Sequence, residues 1–134
     1  MKRKLFLFAF FLLGFFSCNY ENEPEKFSTG FEDKFRIDTE YLLDNYSLKF
    51  KIIEVNDSRC PSDVVCVWAG KADVTIKIES PVSETFVLST LDNKIDTVGN
   101  YSFELIDVSP YPVSTKQIKT EEYKVTLNIK DLTN

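Results

Sequence analysis

A chain of 134 residues, with 16 Lys and Arg against 21 Asp and Glu, carries a formal charge of −5 and contains no histidine. The length suits one domain, and the acidic balance argues against nucleic acid, which is recognised by basic surfaces. Lack of histidine excludes Ser-His-Asp and Cys-His catalysis and every His-ligated metal site, and only four glycines with no G-x-x-x-x-G-K leave no phosphate cradle. No enzymatic activity, cofactor or metal is expected.

Lys2, Arg3 and Lys4 precede an apolar run from Leu5 to Phe16. A basic start and a short apolar stretch make the two leading regions of a secretory signal. About a dozen apolar residues fall short of the roughly 20 that span a bilayer as a helix. The run closes on Phe15-Phe16-Ser17-Cys18. This resembles the lipobox of bacterial lipoproteins, in which a small residue precedes a cysteine that is acylated and becomes the new N-terminus. Phe15 stands where the family has an aliphatic residue. The resemblance implies a signal peptide over residues 1–17, lipidation of Cys18 by palmitate-type chains, and attachment to a membrane of the cell envelope. Asn19 is not the aspartate that retains such proteins in the inner membrane, and Glu21 and Glu23 resemble surface-export signals, so the outer membrane is expected, on its periplasmic or surface face. Each buried CH₂ contributes about 0.8 kcal/mol and one myristoyl chain is marginal, so two or three chains hold stably. Cleavage leaves 13 basic against 21 acidic residues, a charge of −8. Attraction to anionic headgroups cannot hold such a domain at a membrane.

Residues 18–26 are polar and without periodicity, as a tether would be. From Phe27 the pattern is that of strands. Phe31, Phe35 and Ile37 suggest an opening strand, and Tyr41 to Asn45 one helical turn. Leu48, Phe50 and Ile52 alternate with polar residues, and the phase then slips at Ile52-Ile53, as a β-bulge would allow. Cys66, Trp68, Gly70, Ala72, Val74, Ile76 and Ile78 share one phase, which predicts a long strand with one solvated face, ended by Pro81. Phe86 and Leu88 mark a short strand. Tyr101, Phe103 and Leu105 mark another after a turn at Val98-Gly99-Asn100, with a second slip at Leu105-Ile106. Tyr123, Val125, Leu127 and Ile129 alternate in the last strand. About six or seven short strands predict an all-β domain over residues 27–134, a small antiparallel β-sandwich, Ig-like in architecture. A small closed β-barrel is the alternative.

The most distinctive stretch runs Asp57-Ser58-Arg59-Cys60-Pro61-Ser62-Asp63-Val64-Val65-Cys66-Val67-Trp68-Ala69-Gly70. Together with Val108-Ser109-Pro110-Tyr111-Pro112 and Glu122-Tyr123-Lys124-Val125-Thr126-Leu127, it resembles a family of small bacterial lipoproteins with a D-S-R-C-P-x-x-V-x-C-x-W-A-G motif. The resemblance carries no activity. With Cys18 acylated, the odd count of three cysteines reduces to one pair, Cys60 and Cys66. In an oxidising compartment that pair reads as a structural disulfide. A redox pair would more often be Cys-x-x-Cys, and zinc would need two further ligands.

Around the staple, Trp68 has the phase of Cys66 and is expected in the core, with ligand stacking as the alternative. Asp57 is expected to cap the turn, and Arg59 to pair locally or with Asp63; Asp57, Arg59 and Trp68 are the candidate binding residues. Asp92, Asn93 and Asp96 lack EF-hand spacing and read as a solvated turn. The function expected is that of a lipid-anchored binding or structural module whose partner is an envelope or surface protein or a glycan. A protease inhibitor or host-interaction protein is the nearer alternative. A glycan hydrolase working with two carboxylates is the more distant one.

Overall fold

In a computed structural model the described residues are 23–133. The signal segment and Cys18 lie outside them. Nine strands occur in this range: β1 (Glu25–Phe27), β2 (Glu32–Arg36), β3 (Glu40–Leu43), β4 (Lys49–Asp57), β5 (Ala72–Ser80), β6 (Glu84–Ser89), β7 (Ile95–Val98), β8 (Tyr101–Ser109) and β9 (Lys124–Asp131). They form one five-stranded sheet, β1-β3-β4-β5-β6, and one four-stranded sheet, β2-β9-β8-β7. The domain is a β-sandwich and not a closed barrel. All pairings are antiparallel except β1 on β3.

Alternation in sequence becomes alternation in burial. In β5, Ala72, Val74, Ile76 and Ile78 are fully buried while Asp73, Thr75 and Lys77 keep partial access to water. The two inner faces meet through aromatic rings. Phe50 of β4 packs edge-on against Phe27, Phe35 and Phe103 at 5.2–5.6 Å between centroids, and Phe86 lies 5.3 Å from Phe103. Such edge-to-face pairs add to the area term of burial. Both phase slips are bulges: the β4–β5 register shifts between Ile52 and Glu54, and the β8–β9 register between Leu105 and Asp107. The extra residues, Ile53 and Ile106, turn partly outward, 37% and 41% exposed.

Several expectations are corrected. Tyr41 to Leu43 is strand, not helical turn, since pairing with β4 and burial of Tyr41 and Leu43 outweigh local preference. Phe31 precedes its strand and is exposed. Glu25 and Lys26, assigned to the tether, already pair with Tyr41 and Leu42. The long strand begins at Ala72, not Cys66.

Candidate functional site

The β4–β5 hairpin continues past both strand ends. Ser58 N–H donates to the Lys71 carbonyl and Cys60 N–H to that of Ala69, each at 2.8 Å. Gly70 enables this narrowing: its φ is +66°, and a Cβ there would lie 1.9 Å from the Ser58 carbonyl oxygen. Only glycine combines a left-handed backbone with so close an approach. Beyond it the loop is closed by the Cys60–Cys66 disulfide, with Cα atoms 5.9 Å apart.

Beneath the staple sits a buried ion pair. Arg59 donates from Nε and Nη2 to the two carboxylate oxygens of Asp57 at 2.8 and 2.7 Å, and both side chains are under a tenth exposed. The remaining donors reach the Val108 carbonyl at 2.7 Å and the Pro110 carbonyl at 3.0 Å. Tyr123 donates its hydroxyl to Asp57 Oδ2 at 3.2 Å, and the guanidinium lies 4.6 Å from the Tyr111 ring centroid, within cation–π range. Burial opposes ionisation of Asp57, but the donors and charge of Arg59 and the Tyr123 hydroxyl outweigh it and hold the carboxyl below the usual aspartate range. For Arg59, burial works against the charge, and its bonds to Asp57 more than restore it. The pair therefore stays charged, and ties the hairpin to the β8–β9 connection.

That connection also braces the loop itself. Ser62 N–H donates to the Pro112 carbonyl at 3.0 Å. Asp63 accepts from Ser114 N–H and Oγ at 2.7 and 2.6 Å, so Asp63 partners Ser114 rather than Arg59. Next to the base, an open groove of about 230 Å³ is lined by Arg59, Gly70, Leu91, Lys94, Ile106 and Tyr111 among others.

Trp68 is not in the core. It is 82% exposed, with Val65 and Val67 at 102% and 91% and Val64 at 43%. Residues 60–70 are loop, and strand phase does not carry from Ala72 back through the left-handed Gly70, so the phase that Trp68 shares with β5 had no structural meaning. The structure thus unites Asp57 and Arg59 and leaves Trp68 alone at the apex. Sequence reasoning missed Tyr111, Ser114 and Tyr123, which come from the other sheet's connection. The Val108 to Pro112 segment was noticed as a family feature and Tyr123 as part of the last strand, neither as a partner of the Asp57–Arg59 pair. Asp92 pairs with Lys71 at 3.2 Å, Asn93 donates to the Val87 carbonyl, and Asp96 accepts from Thr97 N–H, so these three do not converge on one point.

No protein-family model matches the chain, and neither curated proteins nor solved structures give a match to it.

Proposed function

We propose that this chain is a lipid-anchored module of the cell envelope that binds rather than catalyses, and that it binds through the stapled loop. The observation that carries the reading is a contrast within that loop. Its base is locked by the disulfide, by Gly70 and by the buried Asp57–Arg59 pair, while its apex leaves Val65, Val67 and Trp68 in water. Contiguous apolar groups held in solvent mark contact sites, and a rigid base keeps the ordering cost of contact low. Anchoring is supported by Lys2 to Lys4, the Leu5–Phe16 run and Ser17-Cys18. The Cys60–Cys66 pairing fits an oxidising compartment.

The test places a photo-crosslinking residue at Val65 or, as control, at Val87 on β6, in intact cells. Crosslinks to lipid, glycan or protein are expected from Val65 alone. Equal products from both positions, or none from Val65, overturn the reading. Mass spectrometry of the mature N-terminus is expected to show an acylated Cys18.

A second reading, protease inhibition, is favoured by the same convex loop, closed by a disulfide and held by backbone bonds on two sides. Titration against a protease panel decides it: no inhibition at micromolar protein removes it.

A further inference from the structure

We propose that the stapled loop docks into the headgroup region of the bilayer that holds the protein, with Val65, Val67 and Trp68 entering the interface. This rests on the reading of Cys18 as the lipid-bearing residue and adds which surface faces the lipid.

Strand direction comes first. Glu25 of β1 is level with Tyr41, and Tyr41 with Phe50. Strand β1 runs parallel to β3 and therefore opposite to β4. Strand β1 thus begins on its Asp57-facing side, toward the end of the sandwich that carries the loop. Cys18 precedes Glu25 by so few residues that it lies at most about 25 Å away even at full extension. From the level of Phe50 to Asp57 is already roughly 20 Å along β4, at about 3.3 Å per residue, and the loop projects further. A tether of that reach cannot hold the loop clear of the surface when the Asp57 end faces the bilayer.

Charge agrees. The connections at this end are residues 37–39, 58–71, 90–94 and 110–123. They carry Arg59, Lys71, Lys94, Lys116 and Lys119 against Asp38, Asp63, Asp92, Glu121 and Glu122. With Asp57, the partner of Arg59 at the strand end, they sum to −1, although the chain from Cys18 onward carries −8. Anionic headgroups repel these connections less than they repel the rest of the domain.

The side chains supply the third argument. Tryptophan concentrates at the level of lipid headgroups because its ring is apolar and its N–H is polar. Here it follows Val64, Val65 and Val67 in the same loop, with no charged residue between Val64 and Gly70.

Trp68 is the only tryptophan of the chain, so its emission reports the loop alone. Full chain processed in cells is purified and placed in vesicles of phosphatidylethanolamine and phosphatidylglycerol, with and without bromine on the acyl chains. A blue shift is expected, with at least two-fold quenching by brominated lipid. Val65→Asp, at a fully exposed position, is expected to abolish the quenching without changing the melting temperature. A second sample separates the two readings. The chain from Cys18 onward, which keeps every strand, is coupled through the Cys18 thiol to a maleimide lipid; Cys60 and Cys66 are paired and do not react. No quenching in that sample overturns loop docking, whatever the state of Cys18 in cells. Quenching there with an unacylated Cys18 in cells overturns the anchor and leaves the loop's affinity for lipid standing. Crosslinks from Val65 to protein alone, with no quenching, overturn docking in favour of a protein partner.

Discussion

Arg59 is a charged side chain almost shut off from water, and it stays charged because each of its donor nitrogens has an acceptor. Removing one member of such a pair leaves the other buried and uncompensated, at a cost of about 3–5 kcal/mol. Arg59→Met and Asp57→Asn are each expected to lose about that much in urea unfolding. The double variant is expected to lose less than the sum, with a coupling of about 1–3 kcal/mol; strict additivity would remove the pair from the account. The same pair sets a pH dependence. Asp57 ionises below its ordinary range in the folded chain, so its contribution is fully present above the unfolded value of about 4 and is lost as pH falls below it. The stability gap between the wild type and Asp57→Asn is therefore expected to narrow between neutral pH and pH about 2, and a constant gap would contradict this. The turn-capping role of Asp57 and a local partner for Arg59 were legible from their spacing, with Asp63 left as the alternative partner. Their burial was not, because the covering groups, Val108, Pro110 and Tyr123, lie 49 to 66 residues further along the chain.

Between strands, glycine positions separate space from conformation. Gly70 and Gly99 both have positive φ, +66° and +59°, yet a Cβ at Gly99 meets nothing within 4 Å. Gly99→Ala is expected to cost about 1–2 kcal/mol for its left-handed backbone alone. Gly70→Ala must also displace the Ser58 carbonyl and is expected to cost about 2–5 kcal/mol in all, measured by urea unfolding; equal losses would mean the close approach is not tight. Both bulges could be read from sequence, because a change of apolar phase has few other causes. Strand β1 and strand β7 could not, being three and four residues long with no run in which alternation shows. Trp68 was misplaced for the opposite reason: alternation continued in the letters after the backbone had left the strand.

At the scale of the molecule, the core and the staple are independent. Phe50 joins rings from both sheets, and Phe50→Ala is expected to cost about 3–5 kcal/mol. Neither cysteine belongs to the buried cluster. Replacing both by serine is expected to lower stability by about 2 kcal/mol, while unfolding stays cooperative and the near-ultraviolet circular dichroism of the aromatic core is kept. Loss of the fold would show that the loop organises the sheets. The all-β class and most strands were legible because half-buried strands must alternate. Strand order was not, since β1 and β2 join different sheets and no local pattern says which.

The parallel pairing of β1 with β3 also has a mechanical meaning. Force applied at the N-terminus and directed away from the domain acts along the axis of β1. It loads the bonds of Glu25, Lys26 and Phe27 together, in shear, instead of opening them one after another from an end. The Glu25–Arg36 ion pair crosses to the second sheet at the first residue to feel the load. Sequential peeling would break one hydrogen bond at a time, whereas shear requires all to fail at once, so a short edge strand resists a pull at this point better than its length suggests.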